Sequence, residues 1–429
     1  MSDTAAVAPH PLRIAAYRHY LLARFASTIA LAGLTLIIGW QMYHLARLTM
    51  SVKEATFLLG MIGVAQFVPL FLLTPVTGLV ADTVDRRWVT RATTALMLLV
   101  AVGLAAATLT DRISIPLLFA AAVAMGIARA FSGPAFSALA PNLVPREQLP
   151  TAIALSSTVW QVGTIAGPSL GGVLYAAHHS LTYTVSAVLY VIALGLLFLI
   201  PKVPQPPAQT DQRPLERMCE GFRYVRTNRL VFASITLDLF AVLLAGATAL
   251  LPVFARDILQ TDSAGLGILA ASMGVGAAIV ALLFAWRPMR HDVGTKMLAA
   301  VGVFGVAVIV FGLSRSFWLS AAALAVAGAA DMVSVYVRSS LIQLHTPDAM
   351  RGRVGAVSQL TISASNELGE AESGLVASFL GPVGAVTFGA VGALMVTLGR
   401  SRLFPELRRA TTFDLPVTEI PPHNGVAQP

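Results

Sequence analysis

The sequence has few charged residues and almost no cysteine. Of its 429 residues only 12% are charged, and the one cysteine, Cys219, excludes an internal disulfide. Soluble domains usually carry about a quarter charged residues, so this composition is not that of a soluble protein. The sequence has no phosphate-binding loop, which argues against ATP hydrolysis by this chain. The eight histidines show no metal-ligand spacing, and we see no catalytic constellation, so we expect no metal, no cofactor and no enzymatic activity.

Hydrophobic residues dominate the composition. They account for 56% of the chain, and the mean hydropathy is +0.76. Apolar runs of about 20 residues recur, and a run of that length crosses a bilayer as a helix. We see no alternating strands of the kind that a β-barrel needs, so the sequence predicts an all-α membrane protein. Hydropathy places spans at 20–43, 55–81, 89–109, 114–138, 152–177, 182–200, 230–254, 264–286, 297–313, 317–345 and 381–398.

The distribution of lysine and arginine tests this count. With the N-terminus inside, 21 of the 29 cationic residues fall in inside segments and 5 in outside loops. This is the bias expected of cytoplasmic loops, and it explains the net charge of +8 without a nucleic-acid partner. The cationic residues before and after span 381–398 both belong inside, so a second crossing must precede it. Residues 354–379 are long enough to make that crossing, which gives a twelfth helix.

The chain divides into two halves. We place a cytoplasmic N-terminal tail at 1–19, six helices at 20–200, a cytoplasmic linker at 201–229, six helices at 230–398 and a cytoplasmic C-terminal tail at 399–429. The linker starts Pro-rich and becomes amphipathic from Pro214, which predicts a short helix. A shift of 202 positions superimposes "GPSLGG" at 167–172 on "GEAESG" at 369–374. We interpret this as a parallel duplication, an arrangement that occurs in transporters.

Two motifs lie where this topology can be compared with a known family. "GLVADTVDRR" follows the second span, and "GTIAGPSLGG" lies in the fifth. Together they resemble the signatures of the major facilitator superfamily. Thr83 and Asp85 depart from the first signature. The matching residues are Gly78, Asp82, Arg86 and Arg87 in the first motif and Gly163, Gly167, Pro168, Gly171 and Gly172 in the second. The spacing of later segments resembles the branch of proton-coupled drug antiporters that includes siderophore and macrolide exporters.

The resemblance implies a role for each motif. In the first, Asp82 is expected to face the start of the eleventh span near Val354, while Arg86 and Arg87 pair across the halves as a cytoplasmic gate. The alternative is that these are only positive-inside charges. In the second, Pro168 and the glycines predict a bent, closely packed helix that transmits motion. The alternative is ordinary small-residue packing.

Seven charged side chains lie deep in the predicted spans. A charge at that depth costs at least about 2.5–3.5 kcal/mol, so such residues face a cavity or a partner. Asp331 and Arg338 are two turns apart and share a face. Arg129 and Asp331 occupy corresponding positions in the two halves, which permits a pair across a central cavity. The seven residues are Arg129, Asp238, Asp331, Arg338, Glu367, Glu370 and Glu372.

The three glutamates are the leading candidates for coupling. Glu367 and Glu370 are three residues apart and share a helix face, whereas Glu372 points elsewhere. Two carboxylates this close in a low dielectric do not readily both ionise, so they can share one proton. That property suits proton coupling or a cationic substrate. The alternative is a structural pairing with Arg129, Arg338 or the backbone.

These observations predict a secondary transporter of the inner membrane that works as a monomer in the lipid bilayer. It would export a small amphipathic molecule, a drug or siderophore, in exchange for protons, with the halves rocking about a midplane cavity. Two alternatives stay open. One is an importer or lysophospholipid flippase on the same fold, and the other is a membrane sensor that transports nothing.

Overall fold

The computed structural model describes residues 10–202, 214–244, 246–289, 291–403 and 412–413. Across these residues the regular structure is helical, with no strand. The long helices are α1 (Ala15–Ala46), α2 (Val52–Thr83), α3 (Arg86–Leu109), α4 (Ile115–Leu139), α5 (Leu149–Ala177), α6 (Leu181–Phe198), α7 (Pro214–Thr227), α8 (Arg229–Leu244), α9 (Ser263–Trp286), α10 (Val293–Leu313), α11 (Phe317–Leu344) and α12 (Asp348–Leu403). Short 3-10 turns are Pro11–Arg13, Ala140–Leu143, Arg146–Gln148 and Ala247–Leu250.

Helix α12 is two crossing helices joined end to end. Its apolar stretch Met350–Gly399 has 50 residues, enough for two crossings. Gly381 divides it with φ 75° and ψ 167°, a conformation that favours glycine, and Pro382 follows. The first segment is 348–380 and the second is 382–403. The extra crossing inferred from charge parity is therefore confirmed, with the break at the predicted place.

The protein is an all-α membrane protein with twelve crossing helices in two pseudo-symmetric halves. Helices α1 to α6 form the first half, and α8 to α12 form the second. Some helix starts are capped by side chains. Ser51 and Glu54 form a reciprocal capping box at α2, and Asp262 accepts from the backbone N–H of Gly265 at α9. The boundaries predicted for the two halves and tails stay predictions.

The seventh crossing differs from the single span predicted at 230–254. Helix α8 ends at Leu244, and the chain continues as Ala247–Leu250, Leu251–Val253 and a π-helix, Phe254–Ile258. Gly246 lies in the interruption with its Cα against α12, because a Cβ built there would lie 2.6 Å from the carbonyl oxygen of Gly369. The close approach of α12 therefore accounts for a break that hydropathy does not reveal.

Helix α7 begins at Pro214, where the amphipathic pattern predicts it, and packs on the second half. Val225 is buried, whereas Phe222, three residues earlier, is 59% exposed. The hydroxyl of Tyr224 donates to the carbonyl of His345 at 2.7 Å, and Glu220 forms an ion pair with Arg353 at the start of α12. The linker helix is thus attached to the end of the second half from which α12 starts.

The halves meet along two seams. Helix α2 packs against the first segment of α12, and α5 packs against α9. Within the halves, α1 packs on α5 and α6, and α11 packs on α9 and α10. The charged residues of the candidate site lie at or beside the first seam.

Candidate transport site

A hydrogen-bonded ion pair joins the two halves at the α2–α12 seam. Arg129 of α4 donates from Nη1 to Oε1 of Glu367 on α12, at 2.5 Å. The same nitrogen donates to Oε1 of Gln66 on α2, at 3.0 Å. The Glu367 side chain is 5% exposed and that of Arg129 is 31% exposed, so the pair is sheltered on one side and reachable on the other. We call Arg129, Gln66, Glu367 and Glu370 the interface cluster.

Glycine at position 63 brings Glu370 into this cluster. A Cβ built on Gly63 of α2 would lie 2.8 Å from the carbonyl oxygen of Glu367 and 3.0 Å from Oε2 of Glu370. The missing side chain therefore lets the carboxyl of Glu370 lie directly against the α2 backbone. The predicted shared face of Glu367 and Glu370 is the face that meets the other half.

A second ion pair lies inside the second half. Arg338 of α11 pairs with Asp238 of α8, and their side chains are 5% and 7% exposed. Asp331 lies two helical turns before Arg338 on α11. It lines a small cavity together with Asp238 and Ser334. The sequence placed Asp331, Asp238 and Arg338 in one set with the glutamates. The structure divides that set into two groups on different elements.

One expectation about these charges needs correction. The possible pair between Arg129 and Asp331 does not form, because Arg129 is taken by Glu367. Among the described residues Asp331 makes no side-chain hydrogen bond or ion pair. Glu372 lies off the α2 contact, half-buried beside the exposed Leu368 and Leu375. Its position agrees with the expectation that it faces elsewhere.

The first motif follows its prediction only in part. Of Gly78 and Asp82 the structure describes only that they belong to α2, so their predicted contacts lie outside what it describes. Arg86 donates to the carbonyl of Ala138 at 3.0 Å, and Arg87 bonds Asp85 and the carbonyl of Ile200. These partners belong to the first half, so the expected pairing of the two arginines across the halves is absent in this conformation among the described contacts.

Asp85 explains where Arg87 points. This residue departs from the family signature, and it caps α3 by accepting from the N–H of Arg87 at 3.0 Å. It also accepts from the guanidinium of Arg87 at 2.6 Å, and this bond holds the pKa of the Asp85 carboxyl below its usual value. The cap therefore turns Arg87 back onto its own helix.

The glycines of the second motif pack α5 on two sides. Cβ atoms built on Gly163, Gly167 and Gly171 would meet α1 of the same half, the nearest atoms being Thr28 Cβ and Cγ2, Ala32 Cβ and Gly33 Cα at 2.7–2.9 Å. One built on Gly172 would meet α9 of the other half, 2.2 Å from the carbonyl oxygen of Ser263. Helix α5 continues through Pro168. The motif thus joins a within-half contact to a seam between the halves.

The repeat places corresponding residues in corresponding contacts. At the α5–α9 seam, a Cβ built on Gly267 would lie 2.8 Å from the carbonyl oxygen of Pro168 and 3.3 Å from Gly172 Cα. At the α2–α12 seam, one built on Gly60 would lie 3.0 Å from the carbonyl oxygen of Glu370 and 2.7 Å from Gly374 Cα. Pro168 and Gly172 are the residues that the 202-position shift aligns with Glu370 and Gly374.

Sequence reasoning missed a polar contact at the end of the bundle that carries the α1–α2 turn. There the hydroxyl of Tyr43 donates to Oδ2 of Asp257 at 2.5 Å, and Nε of Arg47 donates to the same oxygen at 3.2 Å. Asp257 lies in the π-helix of the second half, and π-helical turns often mark functional sites. Lys53 adds a bond to the carbonyl of Phe379 at 3.0 Å. We call Tyr43, Arg47 and Asp257 the end clasp.

Several of these residues carried a usable signal. Gln66 is a polar residue inside an apolar span, and it is 3% exposed. Gly60 and Gly63 have the spacing of small residues at a close helix contact. The end clasp had a weaker signal in the sequence, because Arg47 and Asp257 look like ordinary loop charges until the fold brings them together.

Comparison with known proteins agrees with this architecture. The family profile described as transmembrane secretion effector matches residues 6–419. The enterobactin exporter EntS of Citrobacter koseri is 28% identical over 397 residues, covering 92% of this chain and 93% of that protein. EntS of Escherichia coli O1:K1 / APEC has the same identity and coverage.

Solved structures share the fold at lower identity. A bacterial homologue of the human lysosomal transporter Spinster, in an inward-facing and occupied conformation, has a TM-score of 0.71 at 15% identity and covers 91% of this chain and 98% of its own. A D-xylose-proton symporter has a TM-score of 0.69 at 14% identity, with 92% and 98% coverage.

Proposed function

The chain belongs to the transmembrane secretion effector family of the major facilitator superfamily, and we propose that it exports a small amphipathic molecule in exchange for protons. As a member of that superfamily it is a multi-pass membrane transporter and not an enzyme. The exported class that we propose is a siderophore or a drug, since the similar proteins from Citrobacter koseri and Escherichia coli are enterobactin exporters. We place the protein in the inner membrane with both termini cytoplasmic, acting as a monomer.

The observation that carries this proposal is the interface cluster. Arg129 and Glu367 belong to different halves, so their bond must break or re-form when the halves rock. Glu370 lies beside them against α2. The cluster has two carboxylates for one guanidinium, so one proton makes it neutral. A change in protonation therefore changes the strength of a contact between the halves, which is the link that coupled transport requires.

The transport cycle follows from this charge count. When the α1–α2 end opens, the seam between α2 and α12 separates and the carboxyl of Glu370 meets water, where it takes a proton. The neutral cluster closes again around that proton. Opening at the opposite end releases the proton to the cytoplasm, and the site is then free to bind substrate. Arg129 holds Glu367 in the closed state, and Gln66 keeps the guanidinium directed at the seam.

The first motif and the second motif have separate parts in this cycle. Arg86, Arg87, Gly78 and Asp82 belong to the gate at the α2–α3 end. Gly163, Gly167, Pro168, Gly171 and Gly172 connect α1 to the second half through α5 and so carry the movement between halves.

A transport assay with Glu370→Gln tests the proposal. Inverted membrane vesicles take up labelled substrate when a proton gradient is imposed, and we expect the variant to lose this gradient-driven uptake at unchanged protein level. A deletion strain screened for siderophore secretion and for drug sensitivity identifies the substrate class to be used. The matched control is Glu372→Gln, a carboxyl on the same helix away from the seam.

Three outcomes contradict the proposal in different ways. Full gradient-driven uptake by Glu370→Gln removes that residue from coupling. Transport by the wild type that is indifferent to the pH gradient favours the importer or flippase alternative, as does accumulation of substrate inside intact cells. A purified protein that binds and transports none of the candidates favours a sensor.

A further inference from the structure

The cavity between α8, α10 and α11 has the size and the lining of an ion site. Its volume is about 10 Å³, close to the least space that one water molecule needs. A drug or a siderophore does not fit in such a volume. The oxygen-bearing side chains in its lining are Asp238, Asp331 and Ser334, and the remaining lining residues are apolar. Whatever occupies it is small and is held by these three groups.

Ser334 points to an occupant. The side chain is 3% exposed, and among the described residues its Oγ has no hydrogen-bond partner. A buried hydroxyl without a partner costs free energy, so such groups usually bind an ordered water or an ion. Asp331 on the same helix is likewise without a side-chain bond among the described residues. The carboxylate of Asp331 and the hydroxyl of Ser334, one turn apart, thus border the same cavity and can both bind an occupant.

The charge count defines the occupant further. Asp238 is paired with Arg338, and this pair is neutral. Asp331, when it is ionised, adds one negative charge that this pair does not balance. The helices packed around it do not cancel that charge: α9 contains no charged residue, and the charged residue of α10, Lys296, bonds the carbonyl of His291 at the helix start. Between positions 354 and 399 of α12 the charged residues are Glu367, Glu370 and Glu372, which add no positive charge.

We propose that this cavity binds one monovalent cation, a sodium ion or a hydronium ion, at Asp331 and Ser334. Both ions are water-sized, both are bound by oxygen atoms, and either neutralises the single uncompensated charge. Asp238 contributes a third oxygen group while staying paired with Arg338. The site lies within the second half and is separate from the interface cluster, so the protein would hold a cation that does not depend on contact between the halves.

Thermal unfolding of the purified full-length protein tests this site. In the sodium arm, sodium chloride replaces choline chloride at constant ionic strength and at pH 8. In the hydronium arm, the pH falls from 8 to 5.5 in choline chloride alone. A cation that binds the folded state raises the melting temperature with its concentration. We expect one arm to show this rise, and which arm shows it identifies the ion.

The variants assign the rise to the cavity. Asp331→Asn removes the uncompensated charge and should abolish the cation-dependent rise, measured as the difference from wild type in each arm. Ser334→Ala removes one oxygen ligand and should raise the midpoint concentration about tenfold. The matched control is Ser320→Ala. Ser320 also has a buried hydroxyl on α11 without a hydrogen-bond partner in the described part of the chain, but it does not line the cavity.

The outcomes separate this site from the proposed coupling site. A cation-dependent rise that Glu370→Gln retains, Asp331→Asn loses and Ser334→Ala shows only at about tenfold higher cation concentration supports the proposal, whatever becomes of proton-coupled export. A rise that keeps its wild-type midpoint in both cavity variants overturns it. So does a wild type whose melting temperature differs from that of Asp331→Asn by the same amount at every sodium concentration and pH. If Asp331→Asn does not fold, Ser334→Ala against Ser320→Ala gives the answer alone.

Discussion

Two of the ion pairs among the described residues lie within the crossing helices, and their placement differs. Arg129 and Glu367 connect the halves, and the arginine side chain is 31% exposed. Arg338 and Asp238 lie within the second half, and both side chains are almost fully buried. If the halves rock as proposed, the first bond changes, whereas the second stays within one half. An arginine–carboxylate ion pair therefore forms a changing contact at the seam between the halves and a fixed contact within the second half.

The largest expected effect on stability comes from breaking the fixed pair, Arg338 with Asp238. Arg338→Leu leaves Asp238 buried without its partner, and we expect the free energy of unfolding to fall by about 3–5 kcal/mol. The double variant Arg338→Leu with Asp238→Leu removes both charges, and most of the loss should be recovered. Denaturant unfolding of the purified protein measures both. Equal losses in the single and double variants would mean that the pairing is unimportant.

Breaking the changing pair, Arg129 with Glu367, should reduce transport more than it reduces stability. Glu367→Gln replaces the ion pair with Arg129 by a hydrogen bond to an uncharged acceptor, a loss of about 1.5–3 kcal/mol. Since about 1.4 kcal/mol corresponds to a factor of ten, we expect efflux to fall at least tenfold at equal expression. Glu372→Gln is the control and should remain near wild type. Similar efflux by the two variants would show that the interface position has no special role.

The glycine seam beside the changing pair gives the next effect. A Cβ on Gly374 would lie 2.5 Å from Gly60 Cα, so Gly374→Ala must push α12 away from α2. We expect a loss of about 1–3 kcal/mol from overpacking, seen as a lower melting temperature and slower efflux. Gly355→Ala on the same helix meets open space and serves as control. A harmless Gly374→Ala would show that the seam is loose.

The end clasp is a second changing contact, and it should be weaker. Tyr43→Phe removes the hydroxyl that donates to Asp257 across the halves, a loss of about 1 kcal/mol. A cysteine introduced beside the clasp should then react faster with a water-soluble maleimide, because the α1–α2 end opens more often. Tyr190→Phe is the control, since the buried hydroxyl of Tyr190 has no partner among the described residues. Equal reactivity in both backgrounds counts against the clasp.

The smallest effect concerns a fixed contact outside the membrane. Arg87 depresses the pKa of Asp85, so the contribution of that pair to stability is present above the ordinary value of 3.8 and is lost as pH falls through the lower folded-state pKa. Asp85→Asn keeps the α3 cap, and we expect it to cost about 0.5 kcal/mol or less at pH 7. The difference from wild type should vanish in strong acid. A difference that grows as pH falls has the wrong sign for this pair.

Much of the fold could be predicted from the order of the residues along the chain. The length of the apolar runs predicts crossings, and charge parity requires the span that contains Glu367 and Glu370. The repeat predicts that Glu370 and Pro168 hold corresponding places, and their carbonyls do make corresponding contacts at the two seams. These inferences rest on local periodicity and on bilayer thickness, which act along a single helix.

The partners of the charges could not be predicted in the same way. The helical repeat shows that Asp331 and Arg338 share a face, but not that this face meets Asp238 of α8. In the same way Arg129 corresponds to Asp331 in the repeat, yet it bonds Glu367. Helical period determines which side of a helix a residue occupies, and the packing of the whole bundle determines what that side meets.

The sequence by itself thus determined the crossing helices, their duplication and the acidic character of residues 363–374, because each depends on composition and spacing within one segment. Tertiary structure alone decided that Glu367 and Glu370 lie on a glycine-lined seam with Arg129, while Asp331 lies with Ser334 in a separate cavity. The physical reason is that a charge in the membrane is stabilised by whatever oxygen or nitrogen atom lies within a few ångströms, and those neighbours come from helices far away in the chain.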